Sequence, residues 1–370
     1  MEIKTYPLRS VTIDEAMQMQ FKIIDSITNN FDGYEVLSLG DLGVVPGLGK
    51  PNFTKKAEVV FARVFDAPAA LLVRGSGTGA LRLCFSAVLN AGDYLLVHDA
   101  PVYPTTNTTL KTMGINLIKA DFNNLDCITQ IINEHKAIIK GALVQHTRQK
   151  IDDSYDFCNV IGHIKSLLPD APIITDDNYA AFKAEKIGCQ AGADLSSFSC
   201  FKTLGPEGVG VIIGNAEYIQ KIQKEQYSGG SQVQGHEAMA AIRGIVYAPV
   251  SLAVQAQVGE ELVKLLNNGA VKNVRRAFIA NAQSKVVLVE FDFNCTEALL
   301  KLTPKFGAAA HPVGSESVYE FAPMIYRISG TFREQDPELE KRMIRINPMR
   351  SGAQTIIRIL NDAMVGIGGQ

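Results

Sequence analysis

Several classes of function are excluded by what this 370-residue sequence lacks. Its six cysteines (Cys84, Cys127, Cys158, Cys189, Cys200 and Cys295) are scattered, with no CxxC and no close pair. That argues against a disulfide scaffold and for reduced thiols. The six histidines form no HExxH and no cluster with cysteine, so no metal site is expected. Net charge is only −2 and there is no basic stripe, which leaves no field for nucleic acid. No apolar run approaches the ~18 residues of a spanning helix, and Met1 to Asn30 lacks the apolar core of a signal peptide. The expectation is a cytoplasmic protein without a membrane or nucleic-acid partner. Tryptophan is absent altogether and aromatics make up 8% of the chain, which by itself excludes nothing.

What is present is an ordinary globular composition, 46% apolar and 20% charged, on a chain long enough for two unequal domains. Short β-rich runs at 69–73, 94–98, 116–121, 142–146, 172–176, 195–200 and 208–213 alternate with amphipathic stretches such as 80–89, 125–135 and 155–168. The runs are apolar with little alternation, so the sheet is covered on both faces, as in α/β folds. Ligands in such sheets gather at the carboxyl ends of the strands. A long helical pattern at 235–267 follows, with Pro249 inside it, where a kink or break is expected. Beyond it, a strand (285–293), a helix (296–306), strand-like segments (319–329 and 341–347) and a last helix (352–365) read as a smaller α+β domain. Residues 1–52 are assigned to an N-terminal arm and first helix, 53–250 to a large domain and 251–370 to a small one. The arm from Gly40 to Pro51 is too punctuated by glycine and proline to be a packed element.

Four features fall at or just past the strand ends. Arg74-Gly75-Ser76-Gly77-Thr78-Gly79 follows a strand and opens a helix. Glycines admit an oxyanion close to the backbone, and helix N-terminal N–H groups favour negative charge. Ser76 and Thr78 add hydroxyls, yet the match to GxGxxG is incomplete and the spacing is not that of a nucleotide P-loop, so alone it reads better as a plain turn. Tyr103 lies between Pro101 and Pro104, where its ring can cover a flat heteroaromatic; alone it reads better as loop packing. Asp176 and Asp177 close an apolar strand. Neighbouring strand residues point to opposite faces, so one acid at most faces a given ligand, and physical reasoning leaves open which. Lys202 follows Ser197, Ser199 and Cys200 in an apolar neighbourhood, where an amine is costly unless it has a task. A Schiff base is such a task, since burial makes the amine nucleophilic. Each feature has a bland reading by itself. Together, in this order along one α/β unit, they describe a site for pyridoxal 5′-phosphate (PLP), with a strand-end carboxylate at its ring nitrogen.

The same residues resemble the fold-type I PLP-dependent enzymes, the aspartate aminotransferase superfamily. Asp177-Asn178 resembles the Asp-Asn of cysteine/methionine-metabolism lyases. Gly192-Ala193-Asp194-Leu195 and Ser199-Cys200-Phe201-Lys202 resemble that branch's Gly-Ala-Asp-Leu and Ser-x-Thr-Lys. The resemblance implies Lys202 as the Schiff-base lysine and the proton carrier at the substrate α-carbon. It implies Asp177 as the ring-nitrogen partner, Tyr103 as the stacking ring, and Ser76, Gly77, Thr78, Gly79 and Ser199 around the phosphate. Gln145 or His146 would touch the ring or its phenolic oxygen, and Gln145-His146-Thr147-Arg148 is similar to a γ-lyase-type Gln-Arg-Ser-Arg.

Arg345-Ile346-Asn347-Pro348 resembles the Arg-Ile-Ser-Pro of class V aminotransferases, which implies that Arg345 grips a substrate carboxylate; Arg327 and Arg350 compete for that role. As a whole the chain resembles a bacterial family of class V-like PLP proteins. The implied fold is a large domain with a mostly parallel seven-stranded sheet and a smaller C-terminal α+β domain. The implied assembly is a homodimer with its active site at the interface. Two departures stand out: Phe201 replaces the hydroxyl residue before the lysine, and the arm has no Tyr-x-Arg. Gly229 and Gly230 are the candidates to supply cofactor contacts in its place. The expected activity is transamination of an amino acid or amine. The alternatives are β- or γ-elimination or replacement on a sulfur- or selenium-type amino acid, and a PLP-binding protein without turnover.

Overall fold

The computed structural model describes residues 4–147, 150, 152–280, 285–310, 316–328 and 336–368. The chain divides into two compact units: Asp14–Thr147 with Ser154–Pro249, and Met1–Ile13 with Arg148–Asp153 and Val250–Gln370.

The larger unit is built on a seven-stranded sheet of order β1-β7-β6-β5-β4-β2-β3. Its strands are β1 (Ala69–Arg74), β2 (Tyr94–His98), β3 (Asn116–Ala120), β4 (Ile139–Gln145), β5 (Ile173–Asp176), β6 (Leu195–Ser199) and β7 (Val209–Gly214). Each falls on one of the apolar runs read from the sequence. β3, β2, β4, β5 and β6 run parallel, and β7 is antiparallel to both β6 and β1. The strands lack alternation because both faces are packed. Leu143, Ile174, Leu195 and Ile212 meet Leu81 and Phe85 of one helix layer. Ala142, Val144 and Ile173 meet Ile128, Ile132, Ile161 and Ile164 of the other. Burying each of the larger side chains among these contributes roughly 1.5–3 kcal/mol.

The helices of this unit are α1 (Ile13–Thr28), α2 (Asn52–Val64), α3 (Ser76–Val88), α4 (Pro104–Thr112), α5 (Leu125–His135), α6 (Phe157–Leu167), α7 (Ala216–Glu225) and the start of α8 (Gly235–Asn267). The start of α3 is pinned to β7. Gly75 and Ser76 donate their N–H groups to the Gly208 carbonyl at 2.9 and 3.1 Å, and a side chain at Gly210 would collide with the Ser76 carbonyl. Only glycine lets the strand pass that close.

Helix α8 runs through Pro249 as one helix, so the break, one of the two outcomes expected there, does not occur. A proline inside a helix costs about 3 kcal/mol or more. Here it is flanked by Ile245, Ala248, Leu252 and Ala253, all buried, and their packing outweighs the lost hydrogen bond. By length and composition the segment Gly229–Asn267 is also apolar enough to cross a membrane, but 56% of its apolar window is buried inside the protein. With more than half of that window packed inside, its inward-facing apolar residues belong to the protein core.

The smaller unit carries a four-stranded antiparallel sheet of order β10-β11-β9-β8. Its strands are β8 (Val274–Ile279), β9 (Val287–Phe291), β10 (Met324–Arg327) and β11 (Met343–Asn347). α9 (Thr296–Leu302) and α11 (Ala353–Gly368) cover it, with Val287, Val289, Ile344 and Ile346 against Leu299, Ile356 and Leu360. A short α10 (Leu339–Arg342) precedes β11.

One buried ion pair ties α2 to the large sheet. Lys50 Nζ donates to both Glu58 oxygens at 2.7 and 2.8 Å, and Glu58 also accepts from the Leu72 N–H of β1. Both side chains are almost fully buried. Lys50→Ala is therefore expected to destabilise the protein by roughly 3–5 kcal/mol, because it strands a buried carboxylate. Replacing both partners (Lys50→Met with Glu58→Leu) should cost clearly less. Urea unfolding of the two variants compares these directly, and equal losses would show that the residues do not act as a pair.

Candidate active site

Lys202 ends a 3-10 turn, Cys200–Lys202, that follows β6 directly. Ser199 caps this turn, its Oγ accepting from the Phe201 N–H at 3.2 Å. The lysine is half-buried. Its Nζ donates to the Tyr179 hydroxyl at 2.7 Å and lies 4.3 Å from the centre of the Tyr179 ring. Tyr179 holds a left-handed backbone, φ 65°, which costs a bulky residue on the order of 1–3 kcal/mol and tends to mark functional positions.

Three elements meet beside the lysine. Ser76 Oγ at the start of α3 shares a hydrogen bond of 2.9 Å with Ser199 Oγ at the end of β6. Asn178, just past β5, accepts from the Ser199 N–H at 3.0 Å. A Cβ at Gly77 would stand 2.6 Å from Asn178 Nδ2, so glycine is what admits this junction. Thr78 Oγ1 pairs with Thr105 Oγ1 at 3.1 Å. Gly79 lies on the same first turn, its N–H donating to the Gly75 carbonyl.

The two strand-end acids face opposite ways, as alternation requires. Asp177 is fully buried and all of its partners are protein groups. Oδ1 takes His146 Nδ1 at 2.8 Å and the Gly188 N–H at 3.1 Å, and Oδ2 takes Thr175 Oγ1 at 2.6 Å. Asp176 accepts from Asn178 twice, both times on Oδ1. Its Oδ2 has no hydrogen-bond partner among the described residues. Burial, foremost, pushes its carboxyl up to about 6, against the lowering effect of the Asn178 bonds. The charge of Asp176 is felt by Tyr103, as are Tyr179 and Lys202, whereas that of Asp177 is felt by Cys189 on the opposite side.

The other sequence candidates divide accordingly. Tyr103 caps α4, about half exposed, and burial chiefly raises its phenol above the usual range, with Tyr179 and Asp176 adding and the Lys202 charge opposing. Gln145 pairs in register with Asp176 across the parallel β4–β5 ladder and so shares its face. His146 does not: its ring is buried, bonded to Asp177 and stacked 3.7 Å from the Phe157 ring. Gly229 and Gly230 are exposed on a short turn, where Gly229 packs beside Val44 of the arm. Arg345 lies in the smaller unit on β11, its Nε donating to the Arg327 carbonyl and its guanidinium 4.0 Å from the Tyr326 ring centre. Arg148 lies outside the described residues. Sequence reasoning missed Tyr179. The signal it left was its place one turn beyond the strand-end acids.

These residues fit PLP. The α3 N-terminus with Ser76, Gly77, Thr78 and Ser199 suits a phosphate, Asp176 Oδ2 is an acceptor in need of a donor, and Lys202 supplies the amine. A fold-type I sheet with such a lysine defines a class of PLP-dependent enzymes, and the chain belongs to one of its families. Residues 51–291 match the Cys/Met metabolism PLP-dependent enzyme family, and residues 260–360 match the YhfS-like C-terminal domain. The latter corrects the class V aminotransferase resemblance drawn from the Arg345 segment. The Escherichia coli (strain K12) protein YhfS is 50% identical over 365 residues, covering 99% of this chain and all of that protein. The crystal structure of E. coli YhfS, described as PLP-dependent, superposes with a TM-score of 0.95 at 50% identity over 98% of this chain and 99% of that one. In fold alone, the chain is also similar to cystathionine γ-lyase CalE6 from Micromonospora echinospora (TM-score 0.73, 15% identity, 94% and 99% covered). The same holds for cystathionine γ-synthase from Xanthomonas oryzae pv. oryzae (0.71, 15%, 95% and 98%).

The two acids are separable by stability. Asp176 has a folded pKa of about 6 against an ordinary 3.8, so folding favours its protonated form. That contribution is complete below about pH 4 and is lost as pH rises through about 6. In the cofactor-free protein, Asp176→Asn is expected to raise stability at pH 8 by up to about 3 kcal/mol, and the gain should vanish below pH 4. Asp177→Asn should instead lower stability by roughly 1–3 kcal/mol, because it disturbs a buried acceptor of three donors. Denaturant unfolding at pH 4 and pH 8 checks both signs.

Proposed function

We propose that this protein is a PLP-dependent enzyme catalysing β- or γ-elimination, or replacement, on a sulfur-type amino acid. The observation that carries the reaction type is the match of residues 51–291 to the Cys/Met family, and Lys202 near a phosphate-ready helix start supports the cofactor it needs. The names of the fold relatives, a γ-lyase and a γ-synthase, support the same reaction type.

When bound, PLP draws electrons from the substrate α-carbon. Lys202 anchors it covalently and then takes and returns the α-proton. Asp176, rather than the motif-matched Asp177, holds the proton on the ring nitrogen, since its Oδ2 is the oxygen without a partner. Asp177 and His146 brace the turn from behind. Ser76, Gly77, Thr78 and Ser199 bind the phosphate, and Tyr103 covers the ring. The raised phenol of Tyr103 stays protonated at neutral pH, as a donor to a departing thiolate must.

A second copy is proposed to cover the arm. Tyr34, Leu37, Leu39 and Leu42 are largely exposed, as are Tyr227 and Tyr247. Arg243 of α8 holds the arm through the Val36 and Ser38 carbonyls. So large an apolar surface is rarely left to water.

The purified protein incubated with PLP is expected to show a visible band that borohydride removes, and Lys202→Ala is expected to lack it. With L-cysteine, L-cystathionine or L-methionine as substrate, a 2-oxo acid and ammonia should appear without any 2-oxo acid acceptor. Product formed only with an acceptor would return the reading to transamination. The mass in solution should be twice the 40.2 kDa of one chain, and Leu37→Glu with Leu42→Glu should halve it.

A further inference from the structure

We propose that Tyr179 holds the Lys202 amine whenever that amine is not joined to the cofactor. Its hydroxyl fixes the place from which the lysine captures PLP and moves the substrate proton. The inference rests on the reading of Lys202 as the cofactor lysine.

Tyr179 touches the amine in two ways, by the 2.7 Å hydrogen bond to its hydroxyl and by its ring face at 4.3 Å. A tyrosine hydroxyl both accepts and donates. It therefore accepts from the ammonium and donates to the neutral amine, whichever form the cycle produces. No proton has to be gained or lost by the phenol: the amine takes the α-proton, the phenol oxygen keeps one N–H in place, and the amine later returns it.

The backbone points the same way. At φ 65° a glycine or asparagine would sit at ease, and the left-handed turn gives no reason for an aromatic. The turn is nevertheless held firmly around this residue. Asn178 is bonded to Asp176 and to the Ser199 N–H, and the Ala180 and Ala181 N–H groups both donate to the Asp177 carbonyl. The Asp177 side chain is fixed in turn by Thr175, His146 and Gly188. Strain kept in place by so many bonds and spent on aiming one side chain at the lysine is the mark of a working residue. Tyr103 does not duplicate it, because that ring stands on another element, at the start of α4.

The test is the pH dependence of PLP capture by the cofactor-free protein, followed as growth of the visible band, for the parent and Tyr179→Phe. This variant keeps the ring and loses only the hydroxyl. The phenol bonds both forms, but its bond to the ammonium is charge-assisted and the stronger of the two, so it favours the charged amine. Its loss should move the midpoint of the capture profile down by roughly half to one pH unit and slow capture on the plateau. Tyr179→Asn, which suits the left-handed backbone, should show the same shift if the phenylalanine variant fails to fold. A slower plateau with an unmoved midpoint would mark a packing role and overturn the proposal, as would an unchanged profile. A parent protein that forms no band at all would overturn the cofactor reading itself, a different result from a parent that titrates alongside an indistinguishable variant.

Discussion

The buried carboxylate of Asp177 is the constraint on which the site depends. It is wholly enclosed, and it gathers donors from the end of β4 (His146), from β5 (Thr175) and from the turn that begins at Gly188. A buried charge with three good hydrogen bonds is tolerable, and with fewer it is not. The turn after β5 therefore has one arrangement. Asp176, Asn178 and Tyr179 inherit their directions from it: Asp176 to the opposite face, Asn178 across to Ser199, and Tyr179 back to Lys202.

Residues on the ligand side show the reverse economy. Asp176 bonds to Asn178 through one oxygen only, Tyr179 is strained, and the α3 start has no side-chain cap. Each is locally unfavourable, and a bound planar phosphate ester would relieve two of the three. Stability on one face of the strand thus allows instability on the other, which is how functional sites differ from the cores that support them.

Much of this was legible from the residues. The seven strands stand where unbroken apolar runs announce them, because two-sided burial leaves a sequence no polar face to display. The lysine and the glycine-rich helix start were legible because amines and glycines in such places have few other uses. The choice between the acids was not. Spacing to Lys202 favours Asp177 by motif, while the outcome turns on which face each carboxylate meets, a question of register that a count of residues does not settle. His146 lies with Asp177, bonded to it, on the face opposite Asp176. The helix does not break at Pro249 because buried residues pack on both sides of it. Tyr179 went unseen because a positive φ at a tyrosine has no sequence signature. The class V likeness around Arg345 rested on four residues, too short a stretch to outweigh the 260–360 match.

The reaction type then turns on what differs between transamination and elimination. Both need the lysine, the phosphate cradle and the ring-nitrogen carboxylate, so none of these discriminates. Elimination also needs an acid for the leaving group, one that remains protonated at working pH and stands beside the ring without being the lysine. Among the described residues on the Asp176 face, Tyr103 meets this requirement: its phenol is held above its ordinary value by burial and by the acidic and phenolic neighbours, with the Lys202 charge only partly offsetting them. A ring kept merely for stacking needs no hydroxyl. On the reading proposed above, Lys202 would carry the α-proton and the Tyr103 phenol would protonate the departing thiolate, which is the division of labour that elimination requires.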